Sequence, residues 1–250
     1  MEKWKIATIA VLLLGLLGFG IAQQKADQNP PVPNPAPSGT PLPSPYLGKT
    51  LPPWSFKTWN SKPVPLASLQ GKPAFIEIFR IGCSHCQDAA PFMVAIQKRY
   101  APRGLKIVSI QSPGDLSGAP NPENEWPAVL AWLKEKNINY PVAFDENSKY
   151  FQGTVKKQLL GDDPEKLLYP TMILTDKTGK VDFAQTGHDL SKAIALAVEL
   201  EKRFPTSQSI AENAADLVKW LNANLPELKI NGPLSKAFAD DIAERLKMGS

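Results

Sequence analysis

The sequence predicts an α/β fold built on a central mixed β-sheet flanked by helices. Three observations carry that expectation. Two runs, Ala74–Phe79 and Leu105–Ile110, are almost wholly apolar on both faces, as central strands covered on both sides are. Segments of strand and helix character follow one another as β-α-β-α-β-α-β-β-α, an order that layers helices on a sheet. A chain of 250 residues with 43% hydrophobic content is long enough to bury a full core.

Composition also narrows the function. The net charge of +4 is mild and its lysines and arginines are scattered. No phosphate-cradling glycine loop or RNA-binding motif appears, so no nucleic-acid partner is expected. Two cysteines allow a single bridge, so the fold does not rest on a disulfide framework.

Met1–Lys5 carries two lysines, and Ile6–Ala22 contains nothing charged. A helix of that length comes close to spanning the roughly 30 Å core of a bilayer. Basic residues ahead of it place the N-terminus in the cytoplasm and the bulk outside. Residues 1–24 therefore read as a signal anchor, with residues 6–24 held in the cytoplasmic membrane. The other reading is a cleaved signal peptide, because Gly20 and Ala22 have the small-residue spacing of a cleavage site. Both readings export the domain to the periplasm or cell surface. Residues 25–46 follow as a proline-rich linker; ten prolines fall between Asn29 and Pro53, which makes a semi-rigid spacer.

From Leu47 to Phe204 the chain reads as globular. Trp54, Phe56 and Trp59 mark a short strand-like piece, and Asn60–Pro63 a turn. Phe75–Ile81 reads as a strand and Gln87–Tyr100 as a helix. A polar loop, Gln111–Pro122, precedes an amphipathic helix over Glu123–Lys136 with Trp126, Val129, Leu130 and Leu133 on one stripe. A strand over Tyr140–Phe144, a helix over Ser148–Gln158 and a loop over Leu160–Leu168 come next. Tyr169–Asp176 and Lys180–Thr186 form a hairpin, and Asp189–Phe204 is the last core helix. Residues 205–250 form a helical extension with apolar stripes Ile210, Ala214, Leu217, Leu221, Leu225 and Leu234, Phe238, Ile242, Leu246. These helices either pack on the domain or form a partner-binding hairpin.

Cys83-Ser84-His85-Cys86 lies where the apolar strand turns into a helix. Two sulfurs at that spacing close a small disulfide ring. The unpaired N–H groups and dipole of the helix N-terminus favour a thiolate on the first one. That arrangement suits a reversible dithiol/disulfide centre and needs no cofactor beyond the Cys83–Cys86 disulfide itself. No metal is expected at the pair, since zinc usually takes four ligands and His188 adds at most one beyond His85.

Between Thr50 and Phe204 the chain resembles the thioredoxin superfamily, in its membrane-tethered, extracytoplasmic TlpA/ResA-type branch. The matching motifs occur in order: the entry stretch from Thr50, Cys83-x-x-Cys86 with Pro91 five residues on, Tyr169-Pro170-Thr171 at the position of the family's cis-proline, Asp176–Lys180, and Gly187 before the last helix. The resemblance implies a thioredoxin-like fold and thiol-disulfide exchange with protein substrates. It implies a reductant supplied with electrons by a membrane partner, as in cytochrome c or copper-centre maturation. Gly82 stands where most relatives carry tryptophan, and the Ser-His pair between the cysteines is closer to the DsbA-like disulfide-forming oxidases, so the direction of electron flow stays open. A copper-binding assembly factor using Cys83, Cys86 and His188 is a third reading.

Each candidate residue has a stated role. Cys83 is the exposed nucleophile and Cys86 the resolving thiol. His85 stabilises the Cys83 thiolate. Glu77, a carboxylate in a central strand, has a raised pKa and accepts the Cys86 proton, or else pairs with a lysine beneath the sheet. Pro170 and the Tyr169 backbone shape the substrate groove, with Gly82 and Gly187 beside it. His188 reads as a surface residue at a helix start, and Arg80 either adds positive potential or ends a strand in solvent.

Overall fold

The computed structural model describes residues 46–113, 122–160, 168–225, 227–228 and 233–248, all within the compact unit Pro41–Ser250. The expected export segment, the spacer up to residue 45 and the loops over 114–121 and 161–167 lie outside the described residues. Among the described residues no helix is long and apolar enough to cross a membrane. Tyr46, the first described residue and the last of the stretch expected to be linker, is 1% exposed in the core.

One six-stranded sheet organises the fold: β1 (Thr58–Trp59), β2 (Ala74–Phe79), β3 (Lys106–Gln111), β4 (Val142–Phe144), β5 (Thr171–Thr175) and β6 (Val181–Thr186), in the order β1-β4-β3-β2-β5-β6. β2 pairs parallel with β3 and antiparallel with β5. β3 and β4 run parallel, and β1 and β6 close the two edges antiparallel. The sheet is thus mixed, as its sequence pattern predicts. β2 matches its apolar run, β3 is displaced by one residue, and β4, β5 and β6 are one to three residues shorter than their expected segments.

The helices are α1 (Ser84–Tyr100), α2 (Pro122–Glu135), α3 (Lys149–Leu160, wound as a π-helix), α4 (Leu190–Arg203), α5 (Ile210–Asn224) and α6 (Pro233–Lys247). They cover the sheet unequally. Phe75 and Phe79 of β2 face a large cluster that takes residues from α1, α2, α4, α5 and α6. Ile76 and Ile78 face a smaller one made by α3 together with Tyr46, Leu51, Trp54 and Leu69. Every β2 residue is buried, the physical reason it has to be apolar on both faces.

Two expectations about faces are corrected. Leu130 is 41% exposed, and Trp132 takes its place in the core, because Leu130 is one residue, about 100°, past the buried Val129. Ile210, at the first turn of α5, is 39% exposed while Ala214, Leu217, Leu221 and Leu225 are buried. α5 and α6 pack on the domain through these residues and Ile242 and Leu246.

Candidate active site

The turn from β2 into α1 is held from both sides. The Ile81 N–H donates to Gln111 Oε1 (3.1 Å), and the Ile81 carbonyl accepts from Gln87 Nε2. Gln87 in turn accepts from Trp132 Nε1 (2.7 Å), and Gln111 donates to Glu125 (3.3 Å). The turn is thereby tied to β3, α1 and α2 at once. Sequence reading missed both glutamines, which look like ordinary polar residues until the fold brings them to one peptide.

Cys83 then serves as N-cap of α1, with extended backbone (φ −95°, ψ 123°) and no side-chain cap bond. Its carbonyl takes the first helical N–H groups, from Cys86 (3.1 Å) and Gln87 (3.0 Å). The sulfur takes no part in the cap and sits at the positive end of the helix dipole. α1 begins three residues earlier than expected, so Ser84, His85 and Cys86 form its first turn.

Both cysteines are thiols; Cys83 is half-buried, short of the exposure expected for it, and Cys86 is buried. The Cys83 thiol approaches the Tyr169 carbonyl at 3.6 Å. The Tyr169–Pro170 peptide is cis, and the Pro170 carbonyl accepts from Gly187 N (2.8 Å). Gly187 has φ +72°, a left-handed conformation, and a Cβ there would meet Lys192 Nζ at 3.1 Å, so glycine is required at this corner. Cys83, Tyr169, Pro170 and Gly187 are therefore joined in one chain of contacts. Gly82, next to Cys83 in sequence, lies exposed.

Burial pushes the Cys86 thiol well above its ordinary value, partly offset by the backbone at Arg80 and reinforced by its hydrogen bond to Cys83 and the nearby Glu77 charge. Glu77 is 4% exposed and its carboxyl is raised from 4.5 to about 7 by burial, against the lowering effect of its hydrogen bond to Ser109. That bond, Ser109 Oγ donating to Glu77 Oε2, is 2.6 Å long. The partner is thus a serine and not the alternative lysine. A signal for it exists in the sequence: Ser109 is the polar residue inside the second buried run, and strand register sets it opposite Glu77.

His85 is exposed on the first turn of α1. His188, in contrast, is not the surface residue expected. Its ring lies 6.1 Å from Phe92, its Nδ1 is buried without a hydrogen bond, and burial lowers its pKa. Phe92, itself 5.5 Å from Trp220 of α5 ring centre to ring centre, takes up one side of the ring that a helix start would otherwise leave to solvent. Arg80 is half-buried with its guanidinium 5.5 Å from the Tyr169 ring centre, so it ends its strand against an aromatic ring and not in solvent. Among the described residues no three His, Cys, Asp or Glu side chains gather as a metal-ligand set.

A family model described as Redoxin matches residues 38–198. The thiol-disulfide oxidoreductase ResA of Bacillus cereus is 27% identical over 135 residues, which is 54% of this chain and 66% of that relative, just under two thirds of its length. The thioredoxin-like protein YneN of Bacillus subtilis is 20% identical over 201 residues, covering 80% of this chain and 99% of that protein. Among solved structures, a thiol-disulfide isomerase from Corynebacterium glutamicum aligns with a TM-score of 0.50 and 21% identity over 64% of this chain and 98% of its own. That likeness bears on the fold, which is thioredoxin-like.

Proposed function

Because this chain belongs to the Redoxin family, and within the thioredoxin superfamily to the TlpA/ResA type, we propose that it is a protein thiol-disulfide oxidoreductase working through Cys83 and Cys86. The observation that carries the proposal is the 3.6 Å approach of Cys83 Sγ to the Tyr169 carbonyl before a cis-proline. A substrate disulfide lying along Tyr169 and Pro170 meets the nucleophile at that point, its backbone pairing with the loop as an added strand.

In the reducing direction, the Cys83 thiolate attacks the substrate disulfide, one substrate sulfur leaves as thiolate, and a mixed disulfide remains. Cys86 passes its proton to Glu77, attacks the Cys83 sulfur and expels the second substrate thiolate. The protein ends as the Cys83–Cys86 disulfide, and a membrane-bound dithiol partner restores it. Glu77 suits the role because a base is most effective with a pKa near the working pH, and its carboxyl stands at about 7. Cys86→Ser is expected to accumulate mixed disulfides with substrate proteins, and Cys83→Ser to accumulate none. Equal trapping by both variants would sink the reading.

Reduction is favoured over oxidation on one ground. A strong oxidant stabilises its dithiol form through a thiolate on the nucleophilic cysteine, and the side chain that would do so here, His85, is exposed and acts through screening solvent. Equilibration with glutathione buffers should place the potential below about −250 mV, and a value near −120 mV would reverse the direction to that of a disulfide-forming oxidase. We also propose that residues 6–24 anchor the domain on the extracytoplasmic face of the cytoplasmic membrane. The natural chain should then sediment with membranes and resist extraction by salt or carbonate; recovery in the soluble extracytoplasmic fraction would support cleavage instead.

A further inference from the structure

Glu77 has to be a carboxylate at the moment it takes the proton of Cys86, yet in the dry interior it has a single hydrogen-bond donor, Ser109. A buried carboxylate with one donor is poorly satisfied. Its surroundings contain one further polar group. Tyr140 is 4% exposed and precedes by two residues Val142, the register partner of Ser109 on β4; its hydroxyl faces the Ser109 side chain within electrostatic reach of Glu77, without the geometry of a completed hydrogen bond. A buried, unused donor next to an under-satisfied acid is an arrangement that folding alone does not favour.

We infer that Tyr140 is a positioning residue for Glu77, its hydroxyl acting with Ser109 as a two-donor cradle that closes on the carboxylate when Glu77 ionises. The inference rests on the reading of Glu77 as proton acceptor for Cys86. The other groups facing Glu77 are Cys86 from α1 and Met172, its register partner on β5; neither donates to it. In the cycle, the cradle holds the carboxylate until the Cys86 S–H proton crosses to it. The Cys86 sulfur then bonds to Cys83 Sγ, the bond between Cys83 and the substrate sulfur breaks, and that sulfur leaves as thiolate. Neutral Glu77 releases Tyr140 and later gives the proton to solvent.

The test uses the full reduced chain and a chromogenic aromatic disulfide, which yields one coloured thiolate when Cys83 attacks and a second when Cys86 resolves. Tyr140→Phe deletes an unpaired hydroxyl, so the fold should survive, as a melting curve will verify. The second phase should slow about tenfold near neutral pH with its midpoint displaced upward by about one pH unit, while the first phase keeps its rate. Ser109→Ala should move the midpoint the same way. Glu77→Gln should slow the second phase and flatten its pH profile. If Tyr140→Phe superimposes on the parent while Glu77→Gln is slow, the cradle is wrong and the acceptor role stands. A parent-like second phase in Glu77→Gln overturns both.

Discussion

A carboxyl group with one hydrogen bond in a closed core gives up its proton late, and Glu77 does so at about 7. Its folded pKa lies above the ordinary value of 4.5, so the folded state binds the proton more tightly than the unfolded chain. The resulting penalty is absent below about pH 4.5, grows as pH rises and is complete above about 7, where it amounts to about 3 kcal/mol. Glu77→Gln should therefore match the parent in denaturant midpoint at pH 4.5 and exceed it at pH 8. A parallel offset at both values would show that the carboxyl does not carry the effect. That Glu77 would be buried was legible from one acid in an apolar run. Its partner was not, because identifying Ser109 requires the register of two strands 32 residues apart.

Between elements, the tie that fixes the active-site helix is Glu201 of α4. It accepts from Arg99 Nη2 (3.0 Å), Arg103 Nη1 (2.8 Å) and Tyr100 Oη (3.0 Å), and it is 1% exposed. Removing Glu201 leaves Arg103 without a carboxylate among the described residues and Arg99 with Asp216 alone. Glu201→Ala should lower unfolding free energy by about 3–5 kcal/mol, measured by urea titration. Ser209, N-cap of α5 in a capping box, is an exposed contrast: Ser209→Ala should cost about 1 kcal/mol. If both variants lose the same amount, the cluster is no stronger than a surface cap. The helices themselves were readable from their period. Leu130 and His188 were misplaced because period says which residues share a face but not which neighbour will cover it.

Over the whole molecule, the extension 205–250 belongs to the core. Trp220 of α5 stands 5.5 Å from Phe92 and 6.1 Å from Tyr100, ring centre to ring centre, and its indole also receives Arg99 at 5.3 Å. A chain ending at Phe204 would open Phe92, Tyr100 and Val198 to solvent. It should bind a hydrophobic dye and melt well below the parent; an unchanged melting temperature would mean that the extension only rests on the surface. Phe92 of α1 stands between Trp220 of this extension and the ring of His188, next to Gly187, whose N–H donates to the Pro170 carbonyl.

Residue order alone settles the mixed α/β architecture, the position of the cysteine pair at a helix start and the buried acid behind it, whereas the proline opposite it comes only from the family resemblance. The first three follow from local pattern: apolar runs, turn residues and fixed spacing act within a few residues of chain. Tertiary structure decides the rest. It brings Tyr169 to Cys83, sets Ser109 and Tyr140 around Glu77, clamps Ile81 between Gln87 and Gln111, and folds α5 and α6 over α1. Those contacts join residues far apart in sequence. Their chemistry exists only once the sheet has fixed which polar groups share one dry space.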